Sequence, residues 1–125
     1  MKSISTPSAP TPAGHYSQAI VHNGLIFISG QLAVDPTTGE VRNGPIEEQT
    51  RLVLKNLSAI LSAAGSDKNH VIKVTVYVSD IDLWGAVNDV YSEFFESHRP
   101  ARAVVPSRDL HHGCLIELEA IAAVI

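Results

Sequence analysis

The fold is decided by residues 45–78, PIEEQTRLVLKNLSAILSAAGSDKNHVIKVTVYV, in which the spacing of the apolar residues changes. From Pro45 to Ala64 they recur every three or four residues, which is typical of the buried stripe of an amphipathic helix. Pro45 suits the first turn of that helix, and Gly65 suits the position after its end. From Val71 to Val78 apolar residues alternate with polar ones, which predicts a strand that buries one face: Ile72, Val74, Val76 and Val78.

Upstream of this unit the sequence predicts a hairpin. Gln18–His22 and Leu25–Gln31 are short β-favouring runs, and Asn23-Gly24 between them provides the positive φ angles of a two-residue turn. Asp35–Gly39 is predicted to form a second turn, because Pro36 fixes φ early and Gly39 can turn late. Residues 2–14 contain three prolines and are interpreted as an extended arm outside the packed core.

Downstream, a second helix and two closing strands are predicted. Asp80 or Asp82 can cap this helix, which must end before Pro100 because proline disfavours helical geometry in the residue before it. Ala101–Val105 and Cys114–Val124 have the composition of strands. Residues at helical spacing are expected in the core rather than in a cofactor site: Trp84, Val87, Val90, Tyr91, Phe94 and Phe95.

The predicted order β-β-(β)-α-β-α-β-β defines an α+β domain, a mixed sheet of about six strands with two helices packed on one face. On the last strand Glu117 and Glu119 point to the other face, together with Lys73, Thr75 and Tyr77. Because Tyr77, Leu115 and Ile121 add apolar surface there, we expect this face to pack against another subunit.

Composition limits the classes of function. The chain has 125 residues, of which 45% are hydrophobic and 18% charged, so residues 1–125 are expected to form a single domain. A net charge of −4 without a basic stripe argues against nucleic acid as a partner. Neither a membrane span nor a secretory signal is visible, and the single cysteine excludes an intrachain disulfide. We therefore expect a soluble cytoplasmic protein.

Arg102, at the start of a predicted strand, is the first candidate for chemistry. A guanidinium fixed there can bind a substrate carboxylate through two parallel hydrogen bonds, a geometry that lysine cannot reproduce. The alternative is a structural ion pair between Arg102 and a carboxylate such as Glu117. Position in the sequence does not decide between them.

Other candidates offer acid–base groups or hydrogen bonds. Glu117 and Glu119 lie about 7 Å apart on one strand, where one of them can orient a water or both can be solvated. Ser29 lacks the surroundings of an activated nucleophile, and Gly30 is best explained by a close approach to a neighbour or ligand. We expect neither a metal site at His111-His112 with Cys114 nor a nucleotide cofactor, since ligand spacing and phosphate-binding motifs are lacking.

An ordered set of short motifs resembles the Rid family (YjgF/RidA, reactive intermediate deaminases). The resemblance covers about residues 9–124 and is specific as a set, although each motif alone is weak. The motifs are Gly14-His15-Tyr16-Ser17-Gln18-Ala19, Ser29-Gly30-Gln31, Asp35-Pro36 with Thr38-Gly39-Glu40, Asn88 with Tyr91 and Phe94-Phe95, Pro100-Ala101-Arg102, and Glu117-Leu118-Glu119-Ala120-Ile121-Ala122.

The resemblance implies a chorismate-mutase-like fold, a homotrimer with ligand sites between subunits, and no metal or other cofactor. It implies hydrolysis of 2-enamino and 2-imino acids, such as 2-aminoacrylate and 2-iminobutyrate, to 2-keto acids and ammonia. Arg102 would bind the substrate carboxylate, and Glu119 with a nearby backbone carbonyl would orient or deprotonate water. Tyr16, Ser29 and Gly30 would line the same cleft.

Four positions depart from the family pattern: His15, Arg99, Val104 and His111. At Val104 the family often has a cysteine, so only the backbone carbonyl remains for a role in the site. These departures bear on substrate preference, and a longer enamine such as 2-aminomuconate is an alternative substrate. A further alternative is a trimer that binds small carboxylates without turnover. RNA cleavage is disfavoured by the net charge.

Overall fold

The computed structural model describes all 125 residues, Met1–Ile125, and contains six strands and two α-helices. Short 3₁₀ turns at Lys68–His70, Ile81–Leu83 and His111–Gly113 connect some of them. In chain order the elements are β1 (Lys2–Ile4), β2 (Ala19–His22), β3 (Leu25–Gln31), α1 (Ile46–Ala63), β4 (Val71–Val78), α2 (Trp84–Phe95), β5 (Ala101–Pro106) and β6 (Ile116–Ala123).

All six strands form one mixed sheet in the order β1-β2-β3-β6-β4-β5. Only β4 and β5 are parallel, as expected for strands joined by a helical crossover, and the other neighbours are antiparallel. The helices cover one face, where Val74, Val76 and Leu118 are fully buried. Glu119 and Lys73 are exposed on the other face. The predicted α+β architecture is confirmed.

Helix α1 spans Ile46–Ala63, within one residue of its predicted limits, and its buried residues include most of the predicted stripe. Gln49 is also buried, and its Oε1 accepts a hydrogen bond from the backbone N–H of Leu115 at 2.9 Å. That bond ties α1 to the residue before β6 and so fixes the start of the strand that carries Glu117. Neither helix has the length and apolar character needed to cross a membrane.

The N-terminal segment is packed, which corrects the expectation of an extended arm. Lys2–Ile4 forms strand β1, which pairs with β2 at the edge of the sheet, and Ile4 and Ala9 are buried. Gln18 explains how a proline-rich segment packs, because its amide accepts from the N–H of Thr6 at 2.7 Å and donates to the carbonyl of Pro10 at 3.0 Å. The sequence also suggested a further short strand between β3 and α1. The structure has only an isolated bridge there, between Val34 and Val41.

Two core assignments are wrong. Ile72 is 47% exposed, because an irregularity between Val71 and Lys73 shifts the register and gives the buried position to Val71. Trp84 is 42% exposed, since α2 begins there and its indole lies at the rim of the helix layer. Helical spacing alone does not show how far along a helix the core extends.

Candidate functional site

A cavity of about 770 Å³ opens beside the end of β3, between the segment before β2 and the Asp35–Gly39 turn. Three predicted site residues, Tyr16, Ser29 and Gly30, line it together. The other titratable side chains of its wall are those of Asp35, His111, His112 and Glu117. Two other residues expected in the same cleft, Arg102 and Glu119, are not among the residues that line this cavity.

Glu119 does not line this cavity, although the family resemblance implied that it shares a cleft with Tyr16, Ser29 and Gly30. It is exposed on the open sheet face, where its Oε1 accepts a hydrogen bond from the Tyr77 hydroxyl at 3.2 Å. Glu117 lies on the same face two residues earlier, opposite the end of β3, and its carboxylate enters the cavity. Both glutamates were candidates in the sequence. Only the register of β6 against β3 shows that Glu117, and not Glu119, lies at this cavity.

The carboxyl of Glu117 occupies space that Gly30 leaves free. A Cβ on residue 30 would lie 2.5 Å from Glu117 Oε2, so the glycine here permits the close approach that its position suggested. Burial raises the pKa of Glu117 above its ordinary value, the charge of Glu119 raises it further, and His111 acts in the opposite direction. A carboxylate with a raised pKa is a better proton acceptor than an exposed one.

Ser29 and Tyr16 present complementary hydrogen-bonding groups. The Ser29 hydroxyl donates to the carbonyl of Ser17 at 2.6 Å, so its proton is engaged and its oxygen can accept from a ligand. The Tyr16 hydroxyl accepts from the N–H of Ala13 at 3.4 Å and keeps its own proton to donate. Tyr16 is 51% exposed at the mouth of the cavity. This geometry gives Ser29 no activating base.

His111 and His112 lie side by side, because the chain turns here instead of extending. The two rings stack with centroids 3.7 Å apart and an interplanar angle of 17°. His112 has a φ of 61°, in the left-handed region, and this conformation brings the rings together. On an extended chain adjacent side chains point in opposite directions, and the turn at His111–Gly113 departs from that pattern. Cys114, two residues after His112, is buried, whereas both histidines are exposed.

Arg102 lies at a second, smaller cavity of about 370 Å³. Its Nη1 donates to Asn88 Oδ1 at 3.0 Å, and its Cζ lies 4.6 Å from the ring centroid of Tyr91. Arg102 takes part in none of the ion pairs of the structure, so the alternative of a pair with Glu117 does not hold within one chain. Val104, two residues later, is half-buried and packs against the core.

Within one chain Arg102 and the larger cavity are far apart. Arg102 lies on the edge strand β5 and faces the helices, in register with Val74, whereas Glu117 projects from the opposite face of β6. Three strand spacings separate β5 from β3, which amounts to about 14 Å. A four-carbon acid cannot span that distance. The predicted residues therefore form two half-sites.

Gly30→Ala tests the close packing of Glu117. The new methyl group must displace the carboxylate, which is the mobile end of a side chain, so we expect kcat to fall roughly tenfold while the melting temperature changes little. Gly85→Ala is the matched control: no atom lies within 4 Å of its Cβ position, and alanine in helix α2 is neutral or stabilising. Full activity in Gly30→Ala would show that the position of Glu117 is unimportant.

The chain is a small α+β protein with an arginine beside one cavity at the edge of its sheet and a glutamate in the wall of another. Residues 6–124 match the family model described as "Endoribonuclease L-PSP". The chain belongs to this family, the YjgF/RidA or Rid family. The family resemblance seen in the sequence is thereby confirmed.

Similar proteins cover nearly the whole chain. A RutC family protein of Pyrococcus horikoshii is 50% identical over 119 residues, which is 95% of this chain and 94% of that protein. A rat protein named 2-iminobutanoate/2-iminopropanoate deaminase is 44% identical, covering 97% of this chain and 88% of its own length. The crystal structure of E. coli TdcF with bound serine matches with a TM-score of 0.95 at 37% identity, over 100% of both chains.

Proposed function

We propose that this protein hydrolyses 2-imino acids, and the enamines that tautomerise to them, to 2-keto acids and ammonia. In the reaction, water adds to the C=N carbon and the C–N bond then breaks. For 2-iminobutanoate the products are 2-oxobutanoate and ammonia, so atoms and charge balance without a redox partner. The curated relatives named as 2-iminobutanoate/2-iminopropanoate deaminases support this reaction class.

The unpaired guanidinium of Arg102 is the observation that carries the proposal. A half-buried cation without a carboxylate partner, beside a cavity, is suited to an anionic ligand. A 2-imino acid has a planar carboxylate next to the reacting carbon, so two parallel bonds from Arg102 fix the distance of that carbon from the cation. The related TdcF structure holds serine, another small carboxylate.

We place the complete site between two copies of the chain in a homotrimer. Arg102 is contributed by the β5 edge of one subunit, and the Glu117 cavity is contributed by the open face of the next. The open face bears exposed apolar side chains suited to burial, including Phe27 at 44% and Val105 at 37% exposed. This arrangement closes the separation of about 14 Å that one chain leaves between its half-sites.

In this site Glu117, instead of Glu119, accepts the proton of the attacking water. Its position in the cavity wall next to Gly30 and its raised pKa support this role. The Ser29 oxygen accepts a hydrogen bond from the imine nitrogen, and the Tyr16 hydroxyl donates to the substrate. Glu117 passes this proton to the nitrogen, which gives a carbinolamine with one hydroxyl and one amino group. It then takes the hydroxyl proton and delivers it to the amino group as the C–N bond breaks, so that ammonia leaves and the carbonyl forms. Fixed positions of water and substrate provide most of the acceleration for so reactive a group.

The test is release of ammonia and 2-oxobutanoate from freshly generated 2-iminobutanoate, with light scattering of the same sample. We expect hydrolysis well above the spontaneous rate and a mass of three protomers. Binding of 2-oxobutanoate without turnover would favour the non-catalytic alternative. Turnover of 2-aminomuconate but not of 2-iminobutanoate would favour the longer substrate. A monomer with full activity would refute the shared site.

The cytoplasmic location expected from the sequence stays a prediction.

A further inference from the structure

Arg102 is surrounded on one side by a stripe of helix α2. Trp84, Asn88 and Tyr91 are spaced i, i+4, i+7, so they lie along one line of the helix surface. Besides its bond to Asn88 and its position 4.6 Å over Tyr91, the guanidinium lies 5.6 Å from the Trp84 ring centroid. Aromatic rings attract a cation placed over their faces.

None of these contacts neutralises the guanidinium. Asn88 is an uncharged acceptor, and the rings offer only their quadrupoles, so the full positive charge remains available. A guanidinium has five N–H donors, of which the Asn88 bond uses one. The remaining donors leave room for a bidentate carboxylate. An unrestrained arginine would instead lose considerable side-chain freedom each time it bound a ligand.

Tyr91 contributes its ring and not its hydroxyl. The side chain is buried and its hydroxyl has no hydrogen-bond partner in the structure. Burial raises the pKa of Tyr91 to about 12, with the charge of Arg102 acting in the opposite direction, so the hydroxyl has no role as a proton donor near neutral pH. The ring also packs on Phe95 with centroids 4.6 Å apart, which fixes its plane beneath the guanidinium.

We propose that Tyr91 and Asn88 are positioning residues that orient the Arg102 guanidinium for the substrate carboxylate while leaving its charge unpaired. The inference rests on the proposed function of Arg102 as the carboxylate anchor. It assigns to two residues of α2 a role that is exerted through Arg102. Because both residues lie on the side of α2 that faces Arg102, this helix would determine how well the site binds acids.

The experiment compares Tyr91→Leu with Tyr91→Phe. Loss of the ring should raise KM for 2-iminobutanoate about 3- to 30-fold with kcat within about threefold of wild type, and Phe should restore KM because it keeps the ring. Kd for 2-oxobutanoate, measured by calorimetry, should change in parallel. Phe94→Leu is the matched control, because Phe94 lies on the same helix but contacts Lys68 instead of Arg102.

Asn88→Asp separates charge from geometry. The aspartate keeps the hydrogen bond and nearly the same shape, but it neutralises Arg102 and competes with the substrate carboxylate, so we expect KM and Kd to rise at least about tenfold. This variant decides the inference even if Tyr91→Leu fails to fold. An unchanged Kd in Asn88→Asp, or equal losses in Tyr91→Leu and Tyr91→Phe, would overturn it. Wild-type binding without turnover would refute only the proposed reaction, because the ratios of Kd still test the positioning.

Discussion

We expect Arg102→Lys to lower kcat/KM for 2-iminobutanoate hydrolysis by about 10- to 150-fold. Lysine keeps a positive charge but cannot form two parallel bonds, and one lost charge-assisted hydrogen bond costs about 1.5–3 kcal/mol. Arg102→Ala removes both bonds and lowers kcat/KM by about 10²- to 10⁴-fold. The measurement is steady-state kinetics of ammonia release, with the spontaneous rate subtracted.

Arg51→Ala is the control for the change in net charge. Arg51 is exposed on α1 and lies outside both half-sites, so its loss should leave kcat/KM unchanged. Light scattering should give the same mass for all these proteins, since Arg102 makes no ion pair that would support the fold. Wild-type kinetics in Arg102→Lys would remove the bidentate anchor from the mechanism.

We expect Glu117→Gln to lower kcat by about 10²- to 10⁴-fold, the usual contribution of a general base. In the wild type, kcat/KM should fall as the pH decreases through the raised pKa of Glu117, because a protonated carboxyl cannot accept the proton of water. The residual activity of the glutamine variant should lack this acidic limb. The checking measurement is the pH profile of both proteins.

The same substitution should stabilise the fold at neutral pH. The pKa of Glu117 is higher in the native protein than its ordinary value of 4.5, so the native state binds the proton more tightly than the unfolded chain. The stabilising contribution of that proton is present below the unfolded pKa and is lost as the pH rises through the folded one. Glutamine carries no charge at any pH, so Glu117→Gln should melt at the same or a higher temperature than wild type at pH 7.

Glu119→Gln distinguishes the two glutamates of β6. Because Glu119 is exposed and bonded to Tyr77, we expect this variant to lose far less activity than Glu117→Gln. An equal or larger loss would show that Glu119 is the general base.

Mixing Arg102→Ala with Glu117→Gln subunits should restore activity, because random trimers contain some sites with both residues intact. No recovery after subunit exchange would count against a shared site.

The helices and most strands could be predicted from the sequence, because periodicity and turn residues are local signals. Asn23 and Gly24 both have positive φ, and Gly65 ends the turn after α1 with a φ of +77°, as their positions indicated. The N-terminal strand could not be predicted. It forms by pairing with β2, and the amide of Gln18 holds the segment after it through bonds to residues 8–12 positions away; such pairing leaves no mark on local composition.

The candidate site was predictable by residue type but not by grouping. Tyr16, Ser29 and Gly30 do share a cavity, and Arg102 does lie beside another. The choice between Glu117 and Glu119 depends on which residue of β6 faces the end of β3, where the register shifts between Ile28 and Gln31. A two-residue alternation leaves both glutamates on the same face, so only the observed pairing resolves the choice.

The uncompensated cation at Arg102 has a consequence for how turnover ends. In the proposed reaction the keto acid keeps the carboxylate of the imino acid unchanged, so we expect Arg102 to bind substrate and product alike. Departure of the keto acid therefore depends on what changes at the carbon–nitrogen end, where a carbonyl oxygen replaces the imine and the Ser29 oxygen loses its donor. We therefore expect an accumulating keto acid to occupy the free enzyme and slow the proposed reaction until other reactions remove that acid.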